Sequence, residues 1–336
     1  MIKEFKIDSV TLKNRYVEGP MAGFTDLAMR TLAFEHGASL AYTEMISANA
    51  LAYGSSETLD MVKDTQKDIG PVALQLFGSE IPNIKKAIAI VETYGKYTFL
   101  DFNLGCPVPK VMKQNAGSHL LKDLDYLYTL MKTIVETSHH PVIAKTRLGF
   151  SNPEDIVNIV KTLEAAGVKA IAIHGRTREE FYLGKPHYDS IAKAKEIATV
   201  PIIANGNIDV SNVDKVFAKV KPDAVMICRK ALGHPTIFTD LLNHEEGKES
   251  VVDSFNNQKT LLLEHLKLEA ESSRDSLKSA LQMRAIAPTY FIDFPYARQM
   301  RTALVKCQTL SDYVAVLNGV VNPESLSGEN NGRANV

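Results

Sequence analysis

A cysteine between a glycine and a proline is the first candidate for chemistry in this chain. It is Cys106, in the stretch DFNLGCPVPK at Asp101–Lys110, directly after an apolar run. Such a cysteine can be a nucleophile, a metal ligand or a small buried apolar residue. The chain has 3 cysteines, and Cys228 and Cys307 lie far from Cys106 in sequence. So few cysteines at such spacings predict neither a disulfide framework nor a zinc motif, and they favour a reducing compartment.

Polar or titratable residues also follow other short apolar runs, and these runs predict strands. Continuous apolarity over a few residues is typical of strands covered on both faces, as in a parallel sheet. The runs are Tyr16–Pro20, Leu40–Glu44, Val72–Leu76, Phe99–Asn103, Val142–Thr146, Ala170–His174, Ile202–Asn205 and Ala224–Cys228.

Segments with helical periodicity lie between these runs. We predict helices at Ile81–Thr93, Asn152–Ala166, Asp209–Val220 and Ala231–Leu242. In the second, Asn152 suits the N-cap, a proline follows it, and Gly167 stands just past the end. Eight strands alternating with helices predict a (β/α)₈ TIM barrel. The rival, a doubly wound open sheet, predicts G-x-G-x-x-G after the first strand, where the chain has PMAGFTD.

The pattern changes after the eighth strand. We expect the barrel to span residues 1–243 and the polar stretch HEEGKESVVDS to be a linker. Residues 250–320 predict a small all-helical domain, with a helix at Asn256–Ser272 and a stripe from Met300 to Leu317 spaced by three and four. Residues 321–336 are expected to be a disordered tail.

Composition limits the class of protein. The 336 residues are 45% hydrophobic and 23% charged, with a net charge of −1, which is ordinary for a globular protein. A nucleic acid would therefore have to be held by a local basic patch. The polar N-terminal stretch is not a signal peptide, and no apolar run approaches the ~18 residues that a membrane span needs. We expect a cytoplasmic monomer that needs neither a metal nor a protein partner.

In a TIM barrel the active site lies at the carboxyl ends of the strands. Polar groups follow seven of the eight predicted strands: Glu44, Gln75, Asn103, Lys145 with Arg147, His174 with Arg176, Asn205-Gly206-Asn207, and Arg229. Taken singly, each has a plainer interpretation: a solvated lysine, a core histidine or an Asn-Gly turn. Gathered at one rim, they predict an active site.

The last two strand ends suit a phosphate. The segment Asn205-Gly206-Asn207 can turn backbone N–H groups toward an anion, and Arg229 can add a forked contact. A phosphate-bearing cofactor is therefore expected. Gln75 suits an amide-like edge of its ring, and Lys145 suits a ring that gains negative charge on reduction.

These residues together resemble the tRNA-dihydrouridine synthases, flavin enzymes that reduce uridine in tRNA, and most of all the bacterial B-type. The resemblance runs from about residue 17 to about residue 310. The matching stretches are GPMAGFTD, YTEMIS, QLFGSE, DFNLGCPVPKVMKQNAGSHLL, KTRLGF, HGRTREEFYLGKPHYDSI and ANGNI.

The resemblance implies FMN as the cofactor, NADPH as the reductant and tRNA as the substrate. The implied FMN residues are Pro20, Met21 and Ala22 on the ring, Gln75 and Lys145 at its polar edge, His174 beside it, and Asn205, Gly206, Asn207, Cys228 and Arg229 at the phosphate. It implies that Cys106 donates the proton. Two departures from the family pattern are Cys228 for a glycine and Asn207 for an aspartate. A third is MRAIAPTY at Met283–Tyr290, where relatives tend to read M-R-K-H-x-x-W-Y.

Saturating the uracil C5=C6 bond needs a hydride on C6 and a proton on C5. An ordinary thiol, with a pKa near ~8.5, still carries its proton at neutral pH, so Cys106 suits an acid better than a nucleophile. We expect Asn103 to hold the uracil edge and Phe181 or Tyr182 to stack on the base.

Phosphate contacts are expected from basic residues in the rim loops and in the helical domain. The rim residues are Lys110, Lys113, Arg176, Arg178 and Lys185. Basic residues also outnumber acidic ones from Arg274 to Lys306, a stretch that includes Arg284. That stretch predicts either a tRNA-binding patch or simply a solvated helix face.

Two other functions stay open at this point. One is a flavin barrel enzyme that reduces a free pyrimidine or an enone, which would not need a basic helical domain. The other is a catalytically idle tRNA-binding protein, which would not need Gln75, Cys106, Lys145 and His174 together.

Overall fold

The computed structural model describes residues 2–251, 254–292, 294 and 297–319. A ring of parallel strands forms its centre, and an N-terminal hairpin lies beside them. The strands in the described residues are β1 (Phe5–Ile7), β2 (Val10–Leu12), β3 (Tyr16–Glu18), β4 (Ala41–Tyr42), β5 (Ile46–Ser47), β6 (Val72–Phe77), β7 (Phe99–Leu104), β8 (Val142–Arg147), β9 (Ile171–His174), β10 (Ile202–Asn205) and β11 (Ala224–Ile227).

The strand order is that of a TIM barrel. Around the ring the strands follow one another in the order β4, β6, β7, β8, β9, β10, β11 and β3. Strand β5 also pairs with β6, and a bridge between Val17 and Leu40 closes the ring. All eight predicted strands are present, and the expected fold class is confirmed. Continuous apolar runs identified them because both faces of this ring are buried.

Helices surround the barrel and continue beyond it. In the described residues they are α1 (Leu27–Glu35), α2 (Ala48–Ala52), α3 (Ser56–Asp64), α4 (Ile81–Tyr94), α5 (Pro109–Met112), α6 (Leu124–Thr137), α7 (Ile156–Ala166), α8 (Tyr188–Ile197), α9 (Val213–Val220), α10 (Ile237–Glu245), α11 (Phe255–Ser272), α12 (Ser276–Ile286), α13 (Arg298–Leu304) and α14 (Leu310–Gly319).

Local signals explain where the predicted helices agree with the structure and where they differ. Asn152 accepts a hydrogen bond from the N–H of Glu154, and Gly167 ends α7 in the left-handed region at φ +98°. The helix expected from Ala231 begins only at Ile237, because Gly233 is left-handed at φ +71° and Pro235 follows it. The stripe from Met300 to Leu317 is divided between α13 and α14.

Strand register brings the predicted site residues side by side. In the parallel ladders Asn103 pairs with Lys145, Arg147 pairs with His174, and His174 pairs with Asn205. A shift of one residue would turn all these side chains to the opposite face of the barrel wall. The apolar pattern that fixes the register therefore also fixes the rim of polar groups.

A second hydrophobic cluster lies outside the barrel. It is built by α11 to α14 and the turn before α13, around buried Phe255, Phe291 and Tyr313. Phe24, from the loop after β3, packs against this cluster. Ion pairs also join the helices to α3, among them Arg274 with Asp64 at 2.7 Å and Lys278 with Glu57. The helical region is thus packed on the barrel. The expected limits of the two domains, 1–243 and 250–320, remain predictions. The expected tail, 321–336, lies outside the described residues.

Gly233 marks a close approach between the barrel and the helical region. A Cβ there would lie 2.4 Å from the carbonyl carbon of Thr289, and φ is +71°. We expect Gly233→Ala to lower the free energy of unfolding by ~2–4 kcal/mol. Alanine would be strained in the left-handed conformation, and its Cβ would overlap the backbone of Thr289. Gly54→Ala is the control, since φ is +81° and a Cβ there meets nothing within 4 Å among the described residues. Urea unfolding measures the free energy of unfolding of both variants. Equal losses of this free energy in the two variants would contradict the close approach at Gly233.

Among the helices that the structure describes, none combines the length and the apolar character that crossing a bilayer would require.

Candidate active site

A cavity of about 910 Å³ opens at the carboxyl ends of the barrel strands. Most of the predicted site residues line it, and they come from six different strand ends. The predicted residues in its wall are Pro20, Met21, Ala22, Asn103, Cys106, Lys145, His174, Asn205, Gly206, Asn207, Cys228 and Arg229. Residues brought together from such distant parts of the chain form one site, as the position of active sites in this fold leads one to expect.

Cys106 is held in this wall by its backbone. Its N–H donates to Asn103 Oδ1 at 2.9 Å, and its carbonyl accepts from the Ser118 hydroxyl at 2.8 Å. Gly117 lies so close that a Cβ there would be 2.8 Å from the Cys106 carbonyl oxygen. Burial raises the pKa of the Cys106 thiol. The structure therefore presents a fixed, protonated thiol at the edge of the cavity, which is the state of an acid rather than of a nucleophile.

A buried amide chain lies behind Cys106. Asn103 Nδ2 donates to Gln75 Oε1 at 2.8 Å, and Gln75 Nε2 donates to Asp101 Oδ2 at 2.6 Å. Gln75 is fully buried, and it is not part of the cavity wall, so its expected contact with a cofactor edge stays a prediction. The observed role of Asn103 is to orient the Cys106 loop. Burial also raises the pKa of Asp101 well above its usual range.

Positive charge surrounds the inner part of the cavity. Lys145 Nζ lies 3.4 Å from Asn205 Oδ1, and burial lowers the pKa of this lysine. Burial, reinforced by Lys145 and Arg147, holds the pKa of His174 well below its usual range. His174 is therefore a neutral imidazole at pH 7. Its Nε2 accepts from the Arg176 guanidinium at 3.1 Å, which leaves Nδ1 as the donor of the ring.

The Asn205–Asn207 turn contains two successive residues in the left-handed region. Gly206 and Asn207 have left-handed φ angles of +126° and +51°. Arg229 donates to Asn207 Oδ1 at 3.3 Å, so its guanidinium lies at the same turn. Successive N–H groups in such a turn beside a cation favour a phosphate.

Cys228, where the resemblance led us to expect a glycine, packs against Gly19. A Cβ on Gly19 would lie 2.5 Å from Cys228 Sγ. The thiol also lies 3.5 Å from Asn205 Nδ2. The cysteine side chain thus occupies space that the missing side chain of residue 19 leaves beside the barrel wall.

Arg147 is the residue whose importance the sequence patterns understated. It is 2% exposed, its Nε donates to the Gly105 carbonyl at 2.9 Å, and its Nη1 donates to the carbonyls of Thr177 and Phe181 at 2.8 and 2.6 Å. It therefore ties the loop of Cys106 to the loop after β9. The sequence feature that could have pointed to Arg147 is its place two residues after Lys145 in KTRLGF.

Arg176 is tied to the loop after β9. It is fully buried, and its guanidinium donates to the carbonyls of Leu183 and Gly184 at 2.8 and 2.6 Å. Arg176 thus holds the loop that carries Tyr182 to the cavity. Its predicted contact with a substrate phosphate stays a prediction.

The other predicted phosphate contacts are in the segments that follow β7 and β9. Lys110, Lys113 and Lys185 are exposed, and Arg178 stacks on Phe150 and Phe181, 5.2 and 5.1 Å from the ring centres. Tyr182 is 51% exposed at the cavity edge, between the guanidinium groups of Arg147 and Arg229 at 5.2 and 4.9 Å. An exposed ring in this position can stack on a planar ligand.

Much of the basic stretch in the helical region is used within the protein. Arg284 donates to the Cys307 carbonyl at 2.7 Å, and Arg301 donates to the Phe291 carbonyl. Arg274 and Lys278 pair with acidic residues of α3. Arg298 and Lys306 are exposed. Four of these cations thus hold the helices together or to the barrel, and the tRNA patch and the solvated face both stay predictions.

Comparison with known protein families identifies the family of this chain. The family model described as Dihydrouridine synthase (Dus) matches residues 17–322. The chain is 35% identical over 265 residues to tRNA-dihydrouridine synthase B of Vibrio vulnificus (strain CMCP6), covering 78% of this chain and 81% of that protein. It is 30% identical over 330 residues to Probable tRNA-dihydrouridine synthase 1 of Synechocystis sp., covering 96% and 91%.

Solved structures share the barrel at low sequence identity. One is the old yellow enzyme from Trypanosoma cruzi, 11% identical, with a TM-score of 0.56 over 76% of this chain and 94% of that one. Another is morphinone reductase in complex with tetrahydroNAD, 12% identical, with a TM-score of 0.53 over 76% and 93%. At these identities the likeness concerns the fold.

Proposed function

The chain belongs to the dihydrouridine synthase family, and on that basis we propose that it reduces uridines in tRNA to 5,6-dihydrouridine with FMN as cofactor and NADPH as reductant. Membership makes it an oxidoreductase that acts on tRNA uridine. The observation that carries the finer proposal is the position of Cys106, a buried thiol at the edge of a cation-lined cavity.

The cavity fits FMN in three respects. Its volume of about 910 Å³ lies in the range of small-molecule and cofactor sites. The turn from Asn205 to Asn207, with Arg229 beside it, suits the terminal phosphate. Lys145 would place its charge by the ring, with Pro20, Met21 and Ala22 against the ring face and neutral His174 alongside. When bound, reduced FMN supplies a hydride for the uracil C6 atom.

The residues of the chain supply the second hydrogen. A protonated Cys106 Sγ transfers its proton to C5 of the uracil as the C5=C6 bond is reduced, and solvent then restores the thiol. Asn103 and Arg147 hold the loop of Cys106 from two sides, through hydrogen bonds of 2.9 Å to its backbone. Fixing the sulfur in this way reduces the entropy cost of reaching the geometry for proton transfer.

The target base must leave its stack to reach this cavity. Tyr182, exposed at the edge, would stack on a flipped uracil. Lys110, Lys113 and Lys185 are exposed in the segments after β7 and β9, and they would contact RNA phosphates. For the helical region we propose a positioning role, with Arg298 and Lys306 as its exposed cations.

The proposal is tested by anaerobic mixing of the purified, flavin-loaded protein. NADPH should bleach the flavin absorbance, and tRNA lacking dihydrouridine should then restore it, while free uridine and a small enone such as cyclohexenone should not. Rapid reoxidation by the small molecules alone would favour a free-pyrimidine or enone reductase. A protein that retains tRNA but no flavin would favour the idle binding protein.

The buried thiol also predicts the pH dependence of turnover. A proton donor must keep its proton, and burial raises the pKa of Cys106. Single-turnover reduction of tRNA should therefore stay constant as the pH passes the ordinary thiol pKa of ~8.5, and it should fall only above it. The measurement is the rate of flavin reoxidation between about pH 6 and 10. A decline centred below the ordinary thiol pKa would show that Cys106 is a thiolate-forming residue instead.

A further inference from the structure

Three potential metal ligands meet where the helical region packs on the barrel. Asp26 lies in the loop after β3 and caps α1, while His265 and Glu269 lie one turn apart on α11. One ligand atom from each of the three lies within 4.8 Å of the other two. This cluster is separate from the cavity at the barrel rim, whose wall includes none of the three residues.

Two of these ligand atoms are buried without a hydrogen-bond partner in the described part of the chain. They are His265 Nε2 and Glu269 Oε1, which face each other at 3.9 Å. His265 is 0% exposed and Glu269 is 4% exposed, so bulk water does not compensate either atom. An unpaired buried polar atom is costly. The Glu269 carboxyl also lies within hydrogen-bond distance of Ser279 and Asp26, so the two carboxyl groups must share a proton or a cation.

Neighbouring residues bond to the other polar atoms of His265 and Asp26, as the groups around a metal site bond to its ligands. Tyr290 hydroxyl lies 2.8 Å from His265 Nδ1, which leaves Nε2 facing the carboxylates. Asp26 accepts from the N–H of Met29 at 3.0 Å and from Gln282 Nε2 at 3.1 Å. Partners of this kind fix the ring orientation and the carboxylate before any cation binds.

We propose that Asp26, His265 and Glu269 bind a divalent transition-metal cation, with Zn²⁺ the best match to one imidazole and two carboxylates. A Zn²⁺ ion at ~2.1 Å from each ligand atom needs these atoms roughly 3.4 Å apart, so binding draws the side chains inward by less than about 1 Å. The nearby Arg30 is attracted to Asp26, but its guanidinium pairs with Asp68 at 2.8 Å. The ion would link the loop after β3 to α11.

The test uses the full-length, untagged protein loaded with flavin. It is stripped with a chelator and dialysed against Zn²⁺, and bound metal is then counted by mass spectrometry. We expect about one Zn²⁺ per chain, and a rise in the melting temperature that follows from binding to the folded state alone. Co²⁺ in place of Zn²⁺ should give the visible absorption of a low-coordinate site with a nitrogen ligand.

Two variants identify the ligands. Glu269→Gln and Asp26→Asn keep the side-chain shapes and should each weaken Zn²⁺ binding by at least about 10-fold. Glu271→Gln, at an exposed position on the same helix, should bind as the parent does. Lack of Zn²⁺ binding by the stripped parent, or equal binding by Glu269→Gln, would overturn the proposal. Neither result bears on the reduction of uridine, since the cluster lies outside the catalytic cavity.

Discussion

Replacement of Cys106 by alanine is expected to slow the formation of dihydrouridine by about 10²–10⁴-fold, the usual contribution of a positioned general acid. The flavin should stay bound, and NADPH should still bleach it, because Cys106 is held to the protein through its backbone and is not among the residues proposed to bind the cofactor. The defect should appear only when tRNA is mixed with the reduced protein.

Cys307→Ala is the matched control for this variant. Cys307 is a buried cysteine of the helical region, and its carbonyl accepts from Arg284. Its loss should cost some stability but leave the rate of tRNA reduction near that of the parent. A Cys106→Ala protein that reduces tRNA at the parent rate would exclude Cys106 as the proton donor.

Substitution of Arg147 by methionine is expected to lower the turnover number by about 10²-fold, as a small misplacement of catalytic groups can do. The guanidinium donates to the carbonyls of Gly105, Thr177 and Phe181, and methionine can donate to none of them. The Cys106 loop and the loop that carries Tyr182 would then lose their common anchor.

Steady-state kinetics distinguishes this positioning role from general loss of stability. The turnover number should fall while flavin content stays unchanged, and Arg147→Lys should recover part of the activity because an ammonium group can donate to some of the same carbonyls. If the lysine and methionine variants are equally slow and both have lost flavin, Arg147 acts in cofactor binding instead.

Patterns in the sequence predicted the barrel well because its strands are buried on both faces. The eight apolar runs, the cap at Asn152 and the end at Gly167 were all local signals. Cys106 and its neighbours were found because the carboxyl ends of barrel strands converge.

The partners of individual side chains were not predictable in this way. Arg147 and Arg176 look alike in sequence as cations after neighbouring strands, yet each is buried and donates to loop carbonyls. Gln75 stays a predicted cofactor contact, but no pattern in the sequence indicated that its amide also bonds to Asn103 and Asp101. Such roles depend on how long loops return over the rim, which strand periodicity does not describe.

The helical region shows the same limit. An excess of basic residues predicted either a tRNA patch or a solvated face, and it did not reveal that Arg274 and Lys278 pair with Asp64 and Glu57 of α3. A charge count along one segment does not reveal acidic partners that lie more than two hundred residues away.

The most direct test of the central claim is to identify the product in tRNA. Unmodified tRNA is incubated with the flavin-loaded protein and NADPH, digested to nucleosides and analysed by mass spectrometry. Specific uridines should gain two hydrogens as dihydrouridine, and Cys106→Ala should yield almost none in the same time. Oxidation of NADPH with no dihydrouridine in the digest would contradict the claim.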